Sequence, residues 1–337
     1  MQRAATFLVA SLICCLSGQA FADPEFKLRA SVDTSATHAR TLVTADYLKK
    51  LQEKSGGRIE TELFHSGQLF RDRDVMKGLR QGAVEMAVPG TWLLTGLVSD
   101  TDAFLLPSFS GQAYQVVYAE ADGKVGQIIN DKLQQKLGVK VLGPWLPLGY
   151  QNLYSTGKPL KSLEDLAGMK IRTPGGAGLE ERARFFNAKP MTVAWPDVPL
   201  AMSQGMFDGI STTHESVASA KLWESGIKYS LENREYIGFY VPMISDAFYN
   251  KLPPDLQALV ISVWNDNSAD FRVKMREAQD EARRAMEKNG ILVTSPSDEE
   301  LAAVRGRMID QQDRVAKLLR VSPEVQQQVK VDMHLGE

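Results

Sequence analysis

The sequence predicts an α/β protein built as two lobes that hinge about a cleft. Three observations lead there. Strand and helix patterns alternate over the stretch that follows the N-terminal leader. A second α/β unit succeeds the first without a flexible linker. A long proline-free helical run near the C-terminus is placed to span both.

In order, Phe26 to Ala30 reads as a short strand. Thr41 to Lys54 is a helix with Leu42, Ala45, Leu48 and Leu51 on one face, stopped by Gly56-Gly57. Arg58 to Phe64 alternates Ile59, Thr61 and Leu63 with charged residues, the period of a half-buried strand. Val75, Met76 and Leu79 mark a helix ending before Gly82, and Val84 to Val88 is the next strand. This βαβαβ order implies a parallel sheet covered by helices. In the second unit, Val125 to Leu137 is helical, and Val139 to Trp145 and Tyr150 to Ser155 are strands. Ser162-x-x-Asp165 is a capping-box pattern before the strand Lys170 to Thr173. Leu179 to Phe186 is helical and Phe207 to Ser211 is a further strand. Pro253-Pro254 breaks the chain. From Asp255 it is helical, and Ala269 to Asn289, rich in Ala, Arg, Glu, Lys and Met, reads as a solvent-facing strut.

The leader reads as an export signal. Arg3 supplies the positive charge, Ala4 to Leu16 is apolar or small throughout, and Ala20-Phe21-Ala22 is a small-x-small cleavage site before Asp23. The run of 13 residues is short of the ~20 that span a bilayer. Both cysteines, Cys14 and Cys15, lie inside it, so a mature chain would have no disulfide, thiol catalysis or Cys-bound metal. Neither follows a small residue, as a lipid-modified cysteine would. The remaining 315 residues suffice for two domains. They carry 38 basic and 41 acidic side chains, with no basic stripe that would suit a nucleic acid.

Catalytic signatures are missing from the string. There is no G-x-S-x-G, P-loop or H-E-x-x-H, and Gly176-Ala177-Gly178 does not complete a dinucleotide fingerprint because Glu181 occupies the last position. His38, His65, His214 and His334 stand at no metal-ligand spacing. Asp72-x-Asp74 and Asp100-x-Asp102 read as solvated carboxylates rather than calcium ligands. No cofactor and no metal are expected.

The most informative string is Lys170-Ile171-Arg172-Thr173-Pro174-Gly175-Gly176. A strand ends, the chain turns, and a helix begins. Open α/β sheets bind ligands at the C-terminal ends of their strands, and helix N-termini favour anions. Arg172 at that point suits a carboxylate held by two parallel N–H···O bonds. From these residues alone, a surface arginine closing a strand is the plainer reading.

A wider set of stations gives the chain a family likeness. In order stand Ser55-Gly56-Gly57-Arg58-Ile59, Ser66-Gly67-Gln68-Leu69, Gly78 to Met86, and Leu106-Pro107-Ser108-Phe109. Then come Leu163-Glu164-Asp165-Leu166-Ala167-Gly168-Met169-Lys170-Ile171-Arg172 and Gln204-Gly205-Met206-Phe207-Asp208-Gly209. In this order and spacing, over nearly the whole chain, the sequence resembles the periplasmic substrate-binding subunits of TRAP transporters, the DctP family. The resemblance implies a two-lobed periplasmic-binding-protein fold closing on an organic acid. It places Arg172 on the arginine that pairs with the ligand carboxylate. Trp195 falls on an aromatic position that packs on the ligand, and Thr212 on a position often held by a contacting asparagine. Thr213 adds a hydroxyl beside it. Ser35 and Trp92 lie in loops on the cleft side of the first lobe, where ligand contact and plain loop or core roles both stay open. Where many members carry an arginine, Gly149-Tyr150-Gln151 puts Gln151.

The expectation is therefore a periplasmic, non-enzymatic solute-binding protein that hands a small organic acid to a TRAP-type permease. With Gln151 in place of an arginine, Arg172 is expected to be the pocket's one firm cation and the acid a monocarboxylate. Alternatives are a sensory ligand-binding subunit or a secreted enzyme on the same fold. The expected division is a leader over 1–22, a first lobe of 23–149 plus about 238–277, and a second of 150–237 plus about 278–337. No nucleic acid and no membrane insertion are expected.

Overall fold

A computed structural model describes residues 24–335; the leader expected over 1–22 lies outside them. Two sheets form the two lobes. The first runs in the order Ile59–Phe64, Phe26–Ser31, Met86–Ala87, Met243–Ser245, Val139–Val141. Its first three strands are parallel, as the alternating pattern implied, and Met243–Ser245 enters antiparallel between the third and the last. The second sheet runs Leu292–Thr294, Tyr229–Leu231, Asn152–Ser155, Gly209–Thr212, Lys170–Thr173, Lys189–Thr192. Lys170–Thr173 sits inside it, parallel to both neighbours, with Arg172 opposite Met191 and Ile210.

An antiparallel pair, Leu146–Tyr150 with Ile237–Tyr240, connects the lobes, and each strand runs on into the second sheet or comes from it. The chain also crosses in the helix Pro254–Lys288, 35 residues and so roughly 50 Å long. Its Val260, Trp264 and Phe271 are buried in the first lobe and its Met286 in the second. It is thus a strut with a buried stripe along its length rather than a mainly solvated helix.

Two expectations change on packing. The first helix, Ala39–Lys54, buries Val43, Tyr47, Leu48 and Leu51, leaving Leu42 57% exposed. Its inner face turns toward the strut, where the Tyr47 hydroxyl donates to the Val260 carbonyl at 3.0 Å and its ring meets Trp264. The tail after 278 does not stay with the second lobe. After Leu292–Thr294 joins the second sheet, the helix Asp298–Ile309 touches both lobes and the last two helices, Gln312–Leu318 and Pro323–Asp332, pack on the first. Ala316, Leu319, Val325 and Val329 join the cluster around Ile129 and Leu133. Asp100 fastens this return, accepting from Ser322 N and Oγ and from Lys132.

Candidate functional site

The strand ends of both sheets face a cavity between the lobes, with about 1000 Å³ not filled by protein atoms and a mouth continuous with solvent. Arg172 enters from the middle of the second sheet. It is 3% exposed, and its Nε and Nη2 donate to the Val193 carbonyl at 3.0 and 2.8 Å. Its guanidinium lies 5.4 Å from the centre of the Trp195 ring. No carboxylate pairs with it among the described residues. Burial pushes its pKa down to about 9, with Asp33 opposing the fall and Arg73 adding to it. A buried cation without an ionic partner is expensive. Here the carbonyl fixes the guanidinium's orientation but leaves its charge uncompensated.

Of the side chains that the sequence pointed to, Arg172, Gln151, Trp195, Thr212 and Trp92 line this cavity. Gln151 is 4% exposed and its Nε2 has no protein partner, nor does the hydroxyl of buried Thr173 beside Arg172. Thr213 is elsewhere. It caps the helix His214–Ser219, accepting from Ser216 N and donating to Ser216 Oγ. Ser35 does not line the cavity either; its hydroxyl meets that of Thr37 at 3.2 Å.

The expectation of one firm cation is not how the walls are charged, because three further arginines line the cavity: Arg71, Arg73 and Arg182. Arg71 pairs with Asp197 across the mouth at 2.6 Å, and Arg73 Nη2 donates to the Pro174 carbonyl at 2.9 Å. Both contacts tie the first lobe to the second. Arg182 Nε donates to Glu235 at 3.2 Å, and the other Glu235 oxygen accepts from Ser211 at 2.9 Å. Beneath the first-lobe wall, Arg40 is fully buried between Asp33 and Asp72, with its guanidinium 4.3 Å from the Tyr240 ring centre. Burial pushes the Asp72 carboxyl up, and the Arg40 guanidinium at 2.9 Å draws it back toward the ionised form.

Asp72, expected to be solvated, is instead buried against Arg40, as Asp100 and Asp102 are buried elsewhere, and the other residues escaped the sequence reading because they are scattered. Asp33, Arg40 and Asp72 belong to a loop and two helices that only the sheet brings together. One signal was available: Arg71-Asp72-Arg73 follows the Gly67-Gln68-Leu69 turn at the cleft end of a strand. Closeness of the lobes also explains one glycine. Gly176 has φ 95°, and a Cβ there would lie 2.5 Å from the Trp92 carbonyl oxygen. The turn after Arg172 thus passes directly against the first lobe.

Two sheets joined by crossing strands, with a charged cleft between them, define a two-lobed α/β protein built around a cleft. Comparison with known proteins places it further. Residues 31–318 match the family described as bacterial extracellular solute-binding protein, family 7, known as DctP. The chain belongs to that family, whose members are binding proteins of TRAP transporters and not enzymes. It is 26% identical over 306 residues to the 2,3-diketo-L-gulonate-binding periplasmic protein YiaO of Escherichia coli, covering 89% of this chain and 92% of that one. It is 25% identical over 244 residues to the C4-dicarboxylate-binding periplasmic protein DctP of Rhodobacter capsulatus, 72% of each chain. The fold is shared with the sugar acid binding protein of Advenella mimigardefordensis in complex with galactonate, at a TM-score of 0.85 and 18% identity, covering 93% and 98% of the two chains.

Proposed function

We propose that this protein captures an organic acid bearing a single carboxylate and delivers it to a TRAP-type permease from the periplasm. The observation that carries the reading is Arg172, buried, oriented by Val193 and lacking a carboxylate. Two of its five N–H groups meet Val193, so the Nη1–Nη2 edge is left for a bidentate partner.

The charge around the cavity supports one carboxylate. The guanidiniums of Arg40, Arg71, Arg73, Arg172 and Arg182 are set against the carboxylates of Asp33, Asp72, Asp197 and Glu235. Five against four leaves one positive charge for the ligand to neutralise. Arg73, held by the Pro174 carbonyl, stands exposed, so a second ligand carboxylate buried among the apolar walls would be desolvated without a cation beside it, at a cost of several kcal/mol. The relatives carry names of dicarboxylate and sugar-acid binders; in this chain, the apolar walls from Leu153, Ile171, Leu179 and Phe186 suit a less polar body. The leader pattern of residues 1–22 supports export. For the lobes, the packing supports 24–149, about 238–277 and the final helices against 150–237 and about 278–294.

Binding is tested by thermal shift and calorimetry against straight-chain mono- and dicarboxylates of equal length. A ligand at 100 times its Kd adds about 2.7 kcal/mol to the folded state. Tighter binding of every dicarboxylate than of its monocarboxylate partner would overturn the single-charge reading.

A further inference from the structure

Arg182 is the second unusual cation of the cavity. Its helix, Ala177–Phe185, begins directly after the turn that follows Arg172, so the two guanidiniums belong to one lobe. Unlike Arg172, it is charge-matched, since Glu235 accepts from its Nε and is itself held by Ser211. Its guanidinium lies 5.9 Å from the Tyr236 ring centre. The contact to Glu235 is its one hydrogen bond among the described residues, and Nη2 is buried without a partner. Leu179 and Ala183 of the same helix, and Phe186 just after it, line the cavity with it and offer no side-chain acceptor.

We propose that Arg182 is a ligand-reading residue that takes a neutral oxygen acceptor, a ketone, hydroxyl or ether, on the body of the acid anchored by Arg172. The inference rests on the single-carboxylate reading above and narrows it. A buried donor left unmade costs free energy, and a hydrogen bond to a charged donor is stronger than one between neutral groups. A ligand oxygen at the Nη edge supplies that acceptor. A second carboxylate is the wrong group, because the Glu235 charge already occupies the neighbouring edge and would repel it. The Arg182–Glu235–Ser211 cluster therefore selects oxygenated monocarboxylates over plain hydrocarbon acids and over diacids.

The test uses six-carbon acids and calorimetry on the whole protein: hexanoate, its 3-, 4- and 5-oxo derivatives, and adipate. In the wild type at least one oxo acid should bind tenfold or more tighter than hexanoate, and adipate more weakly than that oxo acid. The double variant Arg182→Met with Glu235→Gln removes the donor without stranding its counter-ion. Its oxo-to-hexanoate affinity ratio should fall below about threefold. If that variant does not fold, Arg182→Lys keeps the charge but not the fork, and its ratio should drop by several-fold. Hexanoate binding as tightly as every oxo acid, or a ratio unchanged in the variants, overturns the role of Arg182 and leaves the carboxylate site standing. Adipate outbinding all four monocarboxylates, or binding by none of the four, overturns the single-carboxylate reading and this inference with it.

Discussion

Arg172→Ala separates a ligand anchor from a structural arginine. In the empty protein the substitution removes two hydrogen bonds to the Val193 carbonyl and the packing on Trp195. Leaving that carbonyl unpaired costs about 1–3 kcal/mol. It also removes a buried positive charge that no carboxylate compensates, and relief of that desolvation acts in the opposite direction. The two effects oppose each other, so the unfolding midpoint without ligand should move by only a few degrees. Binding has no such compensation. Two charge-assisted hydrogen bonds to a carboxylate, at about 1.5–3 kcal/mol each, amount to a loss of roughly 10²- to 10⁴-fold in affinity. Arg172→Lys should recover part of this, since an ammonium restores charge without the planar fork. Differential scanning fluorimetry of the empty variant and calorimetry with the best acid give the two quantities on one sample. Near-normal affinity in a variant with a strongly lowered midpoint would refute the assignment of Arg172 as the anchor.

Three other outcomes are expected. Gly176→Ala puts a methyl against the Trp92 carbonyl and an L side chain at φ 95°, so it should weaken ligand binding at least tenfold, measured by calorimetry. Asp102 is buried at the lobe junction, where it accepts from Gly178 N–H, and burial pushes it up to about 8. A carboxylate raised in the folded state is fully tolerated below its ordinary value near 4 and costs stability as pH rises toward 8. Asp102→Asn should therefore raise the unfolding midpoint at pH 8 and hardly change it at pH 4; an equal gain at both would count against the burial argument. Arg71→Ala breaks the ion pair with Asp197 across the mouth, but both side chains are about half exposed. The pair is worth little in water, so affinity should fall by no more than about fivefold, and the difference should shrink in 0.5 M salt.

Much of the fold was legible in local pattern. Lys170–Thr173 is the strand that its turn signals marked out, and the parallel start of the first sheet follows from alternating elements. Ser162 and Asp165 do form a capping box, though on a short 3-10 turn. Periodicity has limits, visible in Leu42: a helix with apolar residues on adjoining faces does not declare which one will meet a partner, and here the strut chose the other. The tail shows the same limit at longer range. Val325 and Val329 state that a helix must bury a face, while only the groove beside Leu133 states where.

The site divides along the same line. Arg172 could be singled out from sequence because a strand end, a turn and a helix start are consecutive residues there, while the ligand role proposed for it came from the family resemblance. Its partners could not. Arg40 meets Asp72 across 32 positions and Arg182 meets Glu235 across 53, and which of these charges cancel is decided by distances of about 3 Å. Sequence by itself determined the order of the main elements and the two-lobed class, since both depend on short-range periodicity and chain order. Only tertiary structure decided the charge balance of the cavity and left Arg172 unpaired, because Coulomb energy and hydrogen bonding depend on separation in space and on burial.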